Sequence, residues 1–202
     1  MSQIPELMAG RALGHGIALA VDHGRGAGSK MYVGGQAASK TAASATLTNT
    51  TTETALDTLA IPANSLVAGS TIRVKSMGIA PATNGSDALQ VFLSLGPTTT
   101  AIASREEVLA TTDANVDNDD VWYIDAIIQV RTIGTGGTAV AMVEYQDPDA
   151  VGTAKKSIIK ASFTLNTTVE QTLGVSAQWS NADAGNQCHS DIFTVDIVNP
   201  ST

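Results

Sequence analysis

From Thr46 onward, apolar and polar residues alternate with a period of two over most of the chain, the spacing of half-buried β-strands. Leu89, Val91, Leu93 and Leu95 fall on one phase. So do Trp122, Ile124, Ala126, Ile128 and Val130, then Ile159, Ala161, Phe163 and Leu165, then Leu173, Val175, Ala177 and Trp179, and finally Phe193, Val195 and Ile197. The pattern predicts that each set faces a common core. Between the sets stand Asn84-Gly85-Ser86, Gly96-Pro97, Gly134 to Gly137, Asp147-Pro148-Asp149 and Asn181 to Gly185, residue types that turn the backbone. Gly134-Thr135-Gly136-Gly137, between long strands at roughly 121–133 and 138–146, predicts a hairpin and hence an antiparallel pair. One helical signal interrupts the strands. Ser104-Arg105-Glu106-Glu107 has the spacing of a capping box before Val108 and Leu109 and predicts at most two turns. About eight strands without substantial helix make an all-β, antiparallel two-sheet sandwich.

Residues 47–78 carry the same alternation and something more. Leu59 and Ile61 alternate with small or polar neighbours, Pro62 and Asn64 interrupt, Gly69 permits a second bend, and Ile72 and Val74 alternate with Arg73 and Lys75. The run Thr50, Glu53, Leu56, Ile61, Pro62, Ala63, Asn64, Leu66, Gly69, Ile72 and Arg73 resembles the opening of jelly-roll-type β-sandwich units in structural proteins of tailed phages, among them capsid decoration proteins, head fibres and tail fibres. The resemblance implies jelly-roll wiring, a homotrimer and a place in the virion. Its implied partners are the major capsid protein and further copies of the chain itself.

The first 40 residues read differently. They hold eight of the 18 glycines and show no sustained period, so ordering them costs backbone entropy and buries little. They are read as an extended N-terminal arm that, with a linker, occupies residues 1–45 and docks on a partner; the sandwich is placed at 46–202. Deleting residues 1–40 is expected to leave a folded β protein that no longer binds heads. Arg11, Arg25, Lys30 and Lys40 outnumber Glu6 and Asp22 in the arm, so of the net charge of −8 the arm contributes +2 and the body −10. An acidic body repels a phosphate backbone, which argues against nucleic acid, whereas a basic arm suits an acidic protein surface. Arg11, Arg25, Lys30, Tyr32 and Lys40 are the expected docking residues. The longest apolar run at the start, Ile17 to Val21, is too short for a signal peptide or membrane span, so a soluble protein made in a cytoplasm is expected, with no membrane partner. Cys188 is the only cysteine, so no intrachain disulfide is possible.

Candidate chemistry is sparse. Gly24, Gly26 and Gly28 lack the spacing of a phosphate-cradling loop, and Ser29 separates Gly28 from Lys30. Asp113, Asn115, Asp117, Asp119 and Asp120 resemble half of a calcium loop, although Asn118 and Ile124 stand where the glycine and the bidentate glutamate belong. They are the residues expected to hold a metal if one is bound; otherwise the chain calls for no cofactor. Cys188 and His189 are neighbours on a strand and therefore point apart, which is unsuited to a nucleophile and its base. Trp122 and Trp179 could stack on sugars as in a carbohydrate-binding module, yet both share the core phase. Phe92, Tyr123, Ile127 and Met142 occupy the opposite phase and are expected at a subunit interface. The expected function is a non-enzymatic decoration, or cement, protein on the capsid surface. The alternatives are a fibre or receptor-binding module contacting host glycans, a carbohydrate-binding module, and a capsid subunit proper.

Overall fold

A computed structural model describes residues 35–83, 87–111, 114–148 and 155–200. Among these residues, twelve strands and one 3-10 turn make up the regular structure. The strands are β1 (Gly35–Ser39), β2 (Leu47–Thr48), β3 (Thr54–Ile61), β4 (Thr71–Ala82), β5 (Ala88–Pro97), β6 (Glu106–Ala110), β7 (Ala114–Asn115), β8 (Asp120–Thr132), β9 (Thr138–Gln146), β10 (Lys156–Thr164), β11 (Gln171–Trp179) and β12 (Gln187–Val198). They form two antiparallel sheets. Sheet A runs β1-β12-β4-β8-β9-β10 with β2 also on β12, and sheet B runs β3-β11-β5-β6 with β7 also on β5. The chain crosses between sheets from β2 to β3, β3 to β4, β4 to β5, β7 to β8, β10 to β11 and β11 to β12, so the architecture is the two-sheet, jelly-roll-type sandwich expected from the sequence.

The period-two phase explains why these segments become strands. Ile72, Val74, Leu89, Val91, Leu93, Trp122, Ile124, Ala126, Ile128, Leu173, Val175, Val195 and Ile197 are fully or almost fully buried between the sheets. Each large aliphatic side chain hidden this way stabilises the fold by about 1.5–3 kcal/mol before ordering entropy is subtracted. Trp122 is placed by a small neighbour. Gly78 lies opposite Trp122 in register, and a Cβ there would come within 2.4 Å of the indole and 2.2 Å of the His189 carbonyl oxygen. The indole therefore lies across β4 only because residue 78 has no side chain.

The hairpin forms where expected. Thr132 pairs with Thr138, and Gly134, at φ +108°, takes a conformation that residues with a Cβ rarely adopt. The connection is tied down from a third segment, since Thr167 Oγ1 accepts the Gly134 N–H at 2.8 Å. At the earlier turns, Asn64 and Gly69 both take positive φ, as their residue types allow.

Three expectations are corrected. The capping-box segment is not a helix: the 3-10 turn covers only Ile102–Ser104, and Glu106–Ala110 is strand β6, paired with β5. Pairing there buries both Val108 and Leu109, which a two-turn surface helix would not. On β10, Ile159 is 81% exposed and Ala161 also faces out, because an irregularity between Lys160 and Phe163 resets the phase so that of the expected set only Phe163 and Leu165 reach the core, while Ile158 packs against it from the other phase. Finally, the sandwich begins before residue 46. β1 pairs with β12 from Gly35 to Ser39, so the stretch read as arm and linker is in part the edge strand of sheet A. Removing residues 1–40 would take that strand away.

Candidate interaction surface

The outward side chains of sheet A fall into rows because the cross-strand register is continuous over five strands. One row is Asp196, Arg73, Ile127, Met142 and Ile159. The next is Thr194, Lys75, Asp125, Glu144 and Ser157, and a third begins Ile192, Met77, Tyr123 and Gln146. Neighbours in such a row stand about 5 Å apart, close enough for contact. Met77, Ile127, Met142, Ile159 and Ile192 are 39–81% exposed, so apolar side chains that the core does not use collect on one face. Between the first two rows lies a groove of about 280 Å³ lined by Arg73, Lys75, Asp125, Ile127, Thr194 and Asp196.

Hydrogen bonds and charges hold the centre of this face in place. Tyr123 donates its hydroxyl proton to Asp125 Oδ2 at 2.9 Å, Lys75 pairs with the same oxygen at 3.2 Å, and the Lys155 ammonium sits 4.5 Å from the Tyr123 ring centroid. Burial, reinforced by the Asp125 hydrogen bond and charge and by Glu144, pushes the phenol up to about 12. Arg73 and Glu144 make no ion pair among the described residues.

Of the four residues expected at an interface, Tyr123, Ile127 and Met142 are brought together here. Phe92 is not among them. It lies on the outer face of sheet B, 7% exposed, where the segment 102–105 folds over the strands. There Arg105 stretches its stem over Gly96 and donates its Nε–H to the Thr100 carbonyl at 3.1 Å, while Ser176 donates to Glu53 at 2.5 Å. Burial pulls the Arg105 guanidinium down from its usual value, opposed by Glu53. Phe92 is thus part of a covered patch. The apolar phase alone could not distinguish it from Ile127, because the cover comes from the loop that joins β5 to β6 rather than from the strand itself.

The remaining expected residues are dispersed. Arg11, Arg25, Lys30, Tyr32 and Asp113 lie outside the described residues, and of Asn115 only the backbone, paired to Ala88, is described. Lys40 is described and is not a free docking cation. Its ammonium contacts both carboxylate oxygens of Asp57 at 2.9 and 3.0 Å and donates to the Ser190 carbonyl at 2.8 Å, joining the end of β1 to β3 and β12. In the acidic turn, Asp120 is buried and accepts the Asp117 N–H at 2.7 Å, and Asn118 accepts the Thr83 N–H at 2.9 Å. Asp120 thus closes the turn on itself, and Asn118 ties it to the end of β4. Among the described residues no three His, Cys, Asp or Glu side chains are placed to share a metal ion.

Cys188 and His189 diverge as the strand phase requires. The thiol is fully buried and burial pushes it up to about 12, while His189 Nε2 lies outside the core, 3.3 Å from Asp191. Trp122 and Trp179 are 0% and 1% exposed, so neither indole face is open to a sugar ring. A cluster that the sequence pattern did not signal joins the buried Asp87 to the buried Asn186 and to Asn181 at the surface. Hydrogen bonds from those two amides hold the Asp87 carboxyl below the usual carboxylate range and tie the start of β5 to the β11–β12 turn.

No family model matches the sequence, and no curated protein matches it. Similar solved structures are legume lectins. Lectin UEA-II complexed with galactose is 12% identical over 82% of this chain and 91% of its own, with a TM-score of 0.36. Lectin II from Ulex europaeus shows the same identity and coverage with a TM-score of 0.37. Lectin I-B4 from Griffonia simplicifolia, in its metal-free form, is 10% identical over 70% of this chain and 77% of its own, with a TM-score of 0.36.

Proposed function

We propose that this chain is a non-catalytic virion structural protein of the decoration kind, which binds major capsid subunits on the outside of a phage head and braces their contacts. The observation that supports it is the outer face of sheet A, where exposed apolar side chains stand in register across β12, β4, β8, β9 and β10 beside Arg73 and Glu144, which make no ion pair among the described residues, a surface suited to being covered in an assembly. A sandwich needs one apolar face per sheet to fold, and a second suits a protein that holds other subunits. The fold also offers a route for force. Residues 1–34 join sheet A through β1, which is hydrogen-bonded along β12 and fastened at its end by Lys40, so tension on a bound N-terminal segment would pass directly into the sheet.

The test is co-sedimentation of the purified full chain with phage heads assembled from a major capsid subunit encoded in the same genome. Saturable binding, together with heads that withstand heating better when coated, is the expected result. Failure to bind heads, with retention on host cells or on a glycan array, would overturn the reading in favour of a receptor-binding module.

A further inference from the structure

We infer that the outer face of sheet A is a twofold self-association surface, on which the same face of a second copy of this chain packs. The inference does not depend on the capsid reading, because it concerns the isolated chain in solution.

Size is the first argument. Six strands about 4.8 Å apart, each contributing about ten residues at roughly 3.3 Å, give a face on the order of 900 Å². A stable dimer needs about 800 Å² per partner. The face is large enough without help from loops.

Charge complementarity is the second. Arg73 on β4 and Glu144 on β9 have no ion-pair partner within the described residues. By the register they lie two strands and one row apart, about 12 Å on a flat lattice of those spacings. A twofold axis in the plane of the face, crossing the midpoint of the Arg73–Glu144 line at right angles, sets each Arg73 against the Glu144 of the other copy. The same axis carries Ile127 onto the neighbourhood of Met142 and brings Lys75 close to Asp125. One operation therefore pairs the two unmatched charges twice and buries apolar against apolar, the self-complementarity that a twofold interface requires. A row of like charges facing itself would have repelled.

The experiment is sedimentation equilibrium on the full chain across a concentration series, with circular dichroism to confirm that each variant is folded. The expected result is a species of two chains of 20.7 kDa each. Arg73→Glu alone and Glu144→Arg alone should each weaken association roughly tenfold or more, and the double exchange should restore it to within about threefold of the parent. Ile127→Lys, at a position 39% exposed that the fold tolerates, should weaken it comparably. A monomer at about 100 μM, a concentration at which even a micromolar dimer would be mostly formed, would overturn the inference. So would a three-chain species, or a double exchange that fails to restore what the single changes remove.

Discussion

Replacing Lys40 with alanine tests whether the region around β1 belongs to the fold. In the structure the Lys40 and Asp57 side chains are only 13% and 12% exposed, and the ammonium touches both carboxylate oxygens and the Ser190 carbonyl. Truncation leaves Asp57 mostly out of water with its cation gone. Removing one partner of a fully buried pair costs about 3–5 kcal/mol, and the residual exposure lowers this to about 2–4 kcal/mol. In urea, with a slope of about 2 kcal/mol per molar, the midpoint should fall by about 1–2 M. Changing both residues, Lys40→Met with Asp57→Leu, should recover most of the loss, because no uncompensated charge remains. The assay is urea unfolding followed by tryptophan fluorescence. A midpoint that moves by less than about 0.3 M for Lys40→Ala would refute the reasoning, since that is the behaviour of a solvent-exposed pair on a detached arm.

Gly78→Ala should destabilise the protein by about 2–4 kcal/mol, because the new methyl group would meet backbone oxygen and indole atoms that cannot both move away; thermal unfolding by calorimetry reads this, and a change below about 0.5 kcal/mol would show that Trp122 is not seated against β4. Cys188 should resist thiol reagents in the native state and react on unfolding. Its folded pKa, about 12, lies above the ordinary value of 9.0, so the unfolded chain loses its proton first and stability should drain away as pH rises from about 9 to about 12. Cys188→Ala should flatten that alkaline decline, and an unchanged slope would sink the assignment.

Much of the sandwich was legible because its strands obey period two without interruption. Trp122 to Val130 could be assigned to the core residue by residue, and the Gly134 turn fixed the pairing of β8 with β9. Where local order breaks, reading failed for identifiable reasons. At β10 the irregularity between Lys160 and Phe163 moved Ile159 from the expected core to the surface, and nothing in the composition of that strand marks the shift. At β6 a capping-box spacing competed with pairing to β5, and pairing prevailed because it satisfies backbone groups while burying Val108 and Leu109. Lys40 looked like a free basic residue because its partner, Asp57, lies 17 residues away on the other sheet. Phase did identify Tyr123, Ile127 and Met142 as an outward set, yet it could not show that they share one face, which depends on the registers of β8 with β9 and of β4 with β8.

The contrast between the two outer faces bears on what the molecule is for. Sheet B hides its outward residues with its own chain: segment 102–105 and Arg105 cover Phe92 and the strands beside it. Sheet A has no such cover among the described residues over Met77, Ile127 and Met142, which stay 39–48% exposed on its central strands. Stability does not require this arrangement, because polar residues at those three positions would leave the core between the sheets untouched. Solubility works against it. An apolar surface that neither packing nor solubility explains, laid across strands whose registers keep it aligned, is better accounted for by something that covers it in the assembled state. Arg73 and Glu144, which make no ion pair among the described residues, would suit a partner that presents an acid to one and a base to the other on the same surface, as a second copy of this chain does.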